Sequence, residues 1–262
     1  MTDQMLEIKI EQLDKCPICQ GDKIPTVYDH TIYSPNTSAA TTVHYSICHA
    51  CGSIFLNPRM TDEFTKYYYQ GTYRDILYPE TGGISPENCI TEKNRAQLQV
   101  EICKGYFEGC KTNLEIGCSS GALIKELWDN FKIVSIGIEP DIRYHKLMWM
   151  PEIVFSELEK AIGPKFDLIT MSHVLEHLNH PLEYIINLVQ NYTHVGTLFM
   201  VEVPNHDYYQ GFGFPHPFSF NIRSLSYIFG KAGCAPVAVF NHGLDGPNPF
   251  KYLLAIYKVQ TT

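Results

Sequence analysis

From residue 111 onward, apolar runs of strand length alternate with segments of helical period. Thr112–Ile116 (TNLEI) reads as a short buried strand and Ala122–Phe131 (ALIKELWDNF) as a helix. Ile133–Ile138, Ile153–Phe155, Asp167–Met171 (DLITM) and Thr197–Val203 follow as strands. Between them, Ile142–Met150 reads as a helix stopped by Pro151, and Val174–Leu178 with Leu182–Tyr192 as a further helical region. A long loop rich in Pro, Gly and aromatics runs from Pro204 to Phe220. Then come a helix, Ile222–Ala232, closed by Gly233, and the strands Pro236–Phe240 and Tyr252–Val259. Such alternation predicts a doubly wound α/β fold, its sheet mostly parallel with an antiparallel last strand. Ligands in such sheets sit at the carboxyl ends of the strands. That rule gathers Gly117–Gly121, Glu139, Ser156-Glu157, Ser172-His173 and the Pro204–Phe220 loop around one crevice.

Before residue 111 the pattern differs. Lys23–His30 and Thr41–Ile47 alternate as in a small ribbon of strands. Pro58 and Thr61 then announce a helix start, followed by an aromatic patch of Tyr67, Tyr68, Tyr69 and Tyr73. Tyr78–Pro86 (YPETGGISP) reads as a loop or hinge. A helix over Thr91–Phe107 follows, with Leu98, Ile102, Gly105 and Tyr106 on one side. The expected organisation is a small module over 1–70, a connecting loop and helix over 71–110, and a ligand-binding domain over 111–262. The tyrosines either cover the junction or contribute one member, Tyr73, to closing over a ligand.

Composition narrows the function. A 262-residue chain with 45% hydrophobic and 18% charged residues is an ordinary globule. Its net charge of −8 argues against a long interface with phosphate backbones, which needs a basic surface. The opening residues (MTDQMLEIKIEQLDK) are polar and charged, and no stretch reaches the roughly 20 apolar residues of a membrane span. Nine cysteines is an odd count, and four of them form two CxxC pairs. That usage reads as metal binding in a reducing cytoplasm rather than a disulfide framework.

The CxxC pairs are the most specific local signal. In Cys16-Pro17-Ile18-Cys19-Gln20-Gly21 and Cys48-His49-Ala50-Cys51-Gly52, two intervening residues let both thiolates of a tight turn face one ion. Two such knuckles make a closed, tetrahedral four-thiolate zinc site of the structural kind. A redox CxxC is the competing reading. Residues 1–70 hold five basic and eight acidic side chains, a net of −3, so this ribbon is a poor grip for nucleic acid.

The second signal is Leu114-Glu115-Ile116-Gly117-Cys118-Ser119-Ser120-Gly121. Glycines at a strand–helix turn bring backbone N–H groups up to a ligand. Glu115 before the turn, and Glu139 after the next strand (Gly137-Ile138-Glu139-Pro140-Asp141), add the carboxylates of a nucleoside site. The same turn satisfies G-x-S-x-G, a hydrolase nucleophile elbow. That chemistry needs an Asp and then a His late in the chain, and Asp245 and His242 fit those roles only by force. His173-Val174-Leu175-Glu176-His177 also spells the inverted zinc-peptidase motif, although it follows a buried strand of an α/β sheet.

Taken together, LEIGCSSG, GIEPD, FDLITMSHVLEHLNHP and a strand ending in PNHD resemble the class I S-adenosylmethionine-dependent methyltransferases over residues 110–262. The VLEH tract is similar to the ubiquinone-biosynthesis branch, where the equivalent tract in some members holds a divalent cation. The front, CPICQG…CHACGSIFLNPRMTDEFTKYY, resembles the zinc-binding head of bacterial methyltransferases acting on nucleotide-linked deoxysugars. The resemblance implies a Rossmann-like sheet, S-adenosylmethionine as cofactor, structural zinc on Cys16, Cys19, Cys48 and Cys51, and a small acceptor, a sugar or sugar nucleotide.

It also implies site roles. Glu115 would organise the methionine ammonium, with Gly117, Cys118, Ser119 and Gly121 permitting backbone approach. Glu139 and Pro140 would meet the ribose, Ser156 and Glu157 the adenine, and Ser172 and His173 would lie beneath the sulfonium. His216 is the implied base: Phe214-Pro215-His216-Pro217-Phe218-Ser219 matches the lid of the sugar enzymes, except that Pro215 replaces their glutamate. A nucleic-acid methyltransferase with a reading head, and a non-catalytic nucleoside-binding partner protein, are the alternatives.

Overall fold

The computed structural model of the protein describes residues 9–22, 28–33, 40–77, 81, 85–147, 153–161, 165–208, 215–244 and 247–261. The head contains β1 (Ile10–Glu11), β2 (Tyr28–Tyr33), β3 (Ala40–Ile47), β4 (Ile54–Asn57) and β5 (Arg59–Met60). Next come α1 (Asp62–Tyr67), a wide helical turn over Tyr68–Thr72 kinked at Gly71, α2 (Tyr73–Leu77) and α3 (Pro86–Phe107). The remainder alternates as β6 (Thr112–Ile116), α4 (Ala122–Phe131), β7 (Val134–Ile138), β8 (Val154–Phe155), β9 (Phe166–Ser172), α5 (Pro181–Tyr192) and β10 (Thr193–Pro204). It ends with β11 (Phe218–Ser219), α6 (Ile222–Lys231), β12 (Cys234–His242) and β13 (Tyr252–Val259).

Seven strands form the main sheet in the order β12-β13-β10-β9-β6-β7-β8. Every neighbouring pair from β10 to β8 is parallel, and only the two ladders made by β13 are antiparallel. The order reverses direction between β6 and β9, the switch point at which an α/β sheet opens a crevice. Leu114, Ile169, Phe199, Val201 and Leu253 supply the buried middle of the sheet, as expected of strands covered on both faces.

The observed elements depart from the sequence pattern in four places. Of the strand segment expected over Lys23–His30, residues 23–27 lie outside those described, and the observed strand is β2, Tyr28–Tyr33. Ile142–Met150, expected as a helix, holds a short 3₁₀ turn at Tyr144–Leu147, and residues 148–150 lie outside those described. Val174–Leu178 is likewise a single 3₁₀ turn, Leu175–His177. Helix α3 begins at Pro86, capped by the Ser85 hydroxyl, and buries Ala96, Gln99, Val100, Cys103 and Phe107. Leu98 and Gly105 are not on that buried face. Of the hinge at 78–86 and the loop at 204–220, residues 78–80, 82–84 and 209–214 fall outside the description.

A second, four-stranded antiparallel sheet has the order β11-β4-β3-β2. Its outer strand β11 comes from the loop after β10, so the head and the sheet domain share a ladder. They also share a core: Cys16, Ile18, Cys48, Cys51 and Phe55 belong to the same apolar cluster as Leu114, Val201 and Phe229. Buried Arg59 strengthens this joint by donating to Glu11 Oε1 at 2.8 Å and to the Asn179 carbonyl. Among the described residues, no helix is long and apolar enough to cross a membrane.

Candidate active site

The turn between β6 and α4 is built from left-handed backbone. Gly117, Ser119 and Gly121 have φ of 69°, 47° and 75°, a region that costs glycine nothing. A side chain at Gly117 is further excluded because its Cβ would lie 2.5 Å from Val174 Cγ2. The amides of Gly117 and Cys118 both donate to the Ile138 carbonyl, at 2.8 and 3.0 Å. This pins the turn against the end of β7, and Ser119 N–H reaches Glu139 Oε2 at 3.0 Å.

A cavity of about 940 Å³ opens over this turn. Tyr73, Glu115, Gly117, Cys118, Ser119, Glu139, Pro140, Ser156, Glu157, Ser172 and His173 all line it, as does His216. Gly121 does not; it is the N-cap of α4, set back from the wall. Sequence reasoning missed Arg74, Glu92, Arg95 and Tyr144, which also line the cavity. Glu92 and Arg95 are polar residues of the expected helix, off the face that the sequence pattern singled out, while Arg74 and Tyr144 sit in short helical turns with too few residues to show a period.

Three carboxylates face the glycine turn. Glu139 is 4% exposed and accepts from Ser119 N–H, from Asp141 N–H at 2.9 Å and from Arg74 Nη1 at 3.1 Å. The Arg74 guanidinium also donates to Ser119 Oγ (3.2 Å) and lies 3.6 Å over the Tyr144 ring. Glu92, from α3, accepts from the Ser119 hydroxyl at 2.7 Å and from both the amide and the hydroxyl of Ser120. Glu115 differs from the other two. Its Oε2 is buried without a hydrogen-bond partner among the described residues. Burial, reinforced by Glu92 and Glu139, pushes its carboxyl well above the usual range. A buried acceptor left unmade is costly, and a cationic donor arriving in the cavity would relieve it.

The floor is a buried ionic network around Glu202 of β10. Glu202 is fully buried, and its carboxylate accepts from His242 Nε2 (2.8 Å), Gln99 Nε2 (2.9 Å), His173 Nε2 (3.1 Å) and Arg95. Burial opposes its charge, yet the bonds from His173 and His242 hold it well below the ordinary carboxylate range. His173, at φ 55°, spends both ring nitrogens on carboxylates, Nδ1 facing Glu176 at 3.0 Å. Burial opposes its proton too, but those two partners carry its pKa above that of a free imidazole.

Across the cavity lies the segment after β10. The ring of His216 is 4.7 Å from that of His177. Tyr69 donates or accepts at His177 Nδ1 (2.7 Å) and lies 2.6 Å from the Pro215 carbonyl. Glu176, His177 and His216 each offer a ligand atom within 4.8 Å of the others, and Glu176 Oε2 is buried without a hydrogen-bond partner. This trio, rather than His173, has the donor set for a divalent cation.

Cys16, Cys19, Cys48 and Cys51 form a second ligand cluster away from the cavity. Their Sγ–Sγ distances of 3.6 Å (Cys16–Cys51) and 3.4 Å (Cys19–Cys48) approach the ~3.8 Å edge of a zinc tetrahedron with bonds near 2.3 Å. Gly21 packs against this cluster, where a Cβ would stand 3.2 Å from Cys19 Sγ. The residues present fit the ion.

Comparisons place the fold. It is similar to magnesium protoporphyrin IX methyltransferase (ChlM) from Synechocystis PCC 6803, with a TM-score of 0.53 at 11% identity over 76% of this chain and 100% of that one. It is also similar to the mitomycin 7-O-methyltransferase MmcR, with a TM-score of 0.54 at 12% identity over 73% and 60% of the two chains. An S-adenosylmethionine-dependent methyltransferase from Clostridium acetobutylicum ATCC 824 gives 0.51 at 10% identity, over 72% and 97%. No curated protein sequence matches this chain. At the level of families, the profile described as "Methyltransferase domain" matches residues 93–239, more than half of the sequence. With that match and a seven-stranded sheet whose last strand runs backward, the chain belongs to the methyltransferase-domain family and is a methyltransferase.

Proposed function

We propose that the protein transfers a methyl group from S-adenosylmethionine to a small polar acceptor, a sugar or sugar nucleotide, and that its four-cysteine cluster holds structural zinc. The carrying observation is the orphaned Glu115 oxygen beside a side-chain-free Gly117 turn, with Glu139 one strand further along the same wall. When bound, S-adenosylmethionine supplies an electrophilic methyl group. Glu115 would receive the ammonium, Gly117, Cys118 and Ser119 would allow close approach, and Glu139 with Pro140 would take the ribose diol. Ser156 and Glu157 would flank the base, and Ser172 and His173 would sit under the reacting centre, with Tyr73 closing from α2. His216 would accept the acceptor's proton, an acid–base contribution of about 10²–10⁴-fold. The acceptor's side is polar: α1 and the turn after it contribute Thr65, Lys66, Tyr69 and Gln70 to the cavity.

Calorimetric titration with S-adenosylmethionine, followed by turnover on a sugar-nucleotide panel, tests the reading. Absence of cofactor binding by the zinc-loaded protein would sink it, and binding without transfer would favour a non-catalytic partner protein. A nucleic-acid acceptor would show as a salt-sensitive RNA shift, which the acidic head argues against. The orphaned Glu176 oxygen favours a second reading of the far wall, a divalent cation on Glu176, His177 and His216. In that case a chelator that spares the cysteine site should abolish turnover, and added Mg²⁺ or Mn²⁺ should restore it.

A further inference from the structure

The small sheet joins parts of the chain that are remote in sequence. β2, β3 and β4 belong to the cysteine head, whereas β11 follows the loop that carries His216. The contacts between them converge on that histidine. Leu56 N–H donates to the Pro217 carbonyl at 2.8 Å, and the Tyr45 hydroxyl donates to the His216 carbonyl at 3.1 Å. Phe218 and Ser219 then pair with Phe55 and Ile54. Tyr45, Phe55 and Phe218 are buried. The second knuckle, Cys48–Cys51, is the link between β3 and β4, so the strand that receives the lid starts just after the last thiol. Arg223 of α6 completes the attachment by donating to the His49 carbonyl at 2.8 Å.

We propose that the cysteine head is the frame that positions His216 over the cavity, with Tyr45 as the positioning residue. The proposal rests on the reading of His216 as an acceptor-site group. A two-residue strand such as β11 cannot hold its own conformation; it needs a ladder to join. The flanks of the segment are anchored elsewhere: the Pro215 carbonyl by Tyr69, and Ser219 and Phe220 by His206, whose N–H donates to the Phe220 carbonyl at 2.8 Å. Of the three carbonyls between these anchors, those of His216 and Pro217 both accept from the head. The metal that closes the knuckles thereby acts on the acceptor wall without touching it.

Hydrogen exchange on the full, zinc-loaded chain tests this independently of turnover. Tyr45→Phe keeps the ring and removes one hydrogen bond. The amides of Leu56, bonded to the Pro217 carbonyl, and of Ser219, paired with Ile54, should then exchange about fivefold faster, the loss expected for one such bond. Those of Thr112–Ile116 and the affinity for S-adenosylmethionine should not change, while kcat falls. Chelating the zinc should raise exchange at the same amides further, with β6 still protected. Unchanged exchange at Leu56 and Ser219 in both Tyr45→Phe and the chelated protein would overturn the proposal. Failure of the acceptor-site reading would show differently, as full turnover by His216→Ala.

Discussion

Gly117 carries two constraints at once, a left-handed φ of 69° and the methyl of Val174 where a Cβ would stand. Gly117→Ala should therefore destabilise the fold by about 1–3 kcal/mol and weaken cofactor binding. Adding Val174→Ala should recover the steric part but not the backbone strain, as urea titration of the single and double variants would show. His177 makes a different prediction. Burial pulls its pKa down to about 4 despite Glu176 beside it, against 6.5 for a free imidazole. The folded state thus resists a proton that the unfolded chain takes up. Stability should be full above about pH 6.5 and decline as pH falls toward 4, by on the order of 3 kcal/mol. In His177→Phe that decline should flatten, measured as Tm against pH with chelator present. Glu176, held at about 2 chiefly by the bond from His173 once burial is overcome, adds its own loss as pH falls from about 4.5 toward 2.

At the scale of elements, β10 does more than complete the sheet. Through Glu202 it ties α3, the turn after β9 and the end of β12 into one charged knot. Glu202→Ala would leave Arg95, His173 and the buried His242 without their shared carboxylate, at a cost of about 3–5 kcal/mol. A midpoint in urea within error of the parent's would refute this. The sequence pattern shows where such a knot becomes invisible. Thr112–Ile116 and Ala122–Phe131 match the structure residue for residue, because an apolar run, a glycine turn and an amphipathic repeat each state the same boundary. Glu202 sits in an equally clear apolar run, but its partners arrive from three other elements, and nothing nearby announces them. An acid inside a buried strand was the available signal. In helix α3 the end at Phe107 and the packing of Ile102 and Tyr106 follow the pattern, but its buried face also includes the polar Gln99, which hydrogen-bonds to Ser172 and Glu202 inside the protein and so carries no apolar signal. β11, two residues long, has no period to detect.

For the molecule as a whole, the cysteine spacing made the head legible, but not its place. Sequence alone treats residues 1–70 as an appendage, whereas Cys16, Cys48 and Phe55 pack into the main apolar cluster. Cys16→Ser should accordingly release zinc and also lower the Tm of the entire protein in a single transition. Full zinc content in that variant would contradict the four-cysteine site, and a separate low-temperature transition would contradict the shared core. One consequence of the four-stranded sheet concerns the order of events during synthesis. β4 leaves the ribosome early, yet its outer partner β11 is made only after the first five strands of the main sheet. Closing so long a loop is slow, so the nascent head must wait with an open strand edge until most of the polypeptide has emerged. For that interval the edge is a pairing surface for other nascent chains, and early capture of zinc is what would keep it in register.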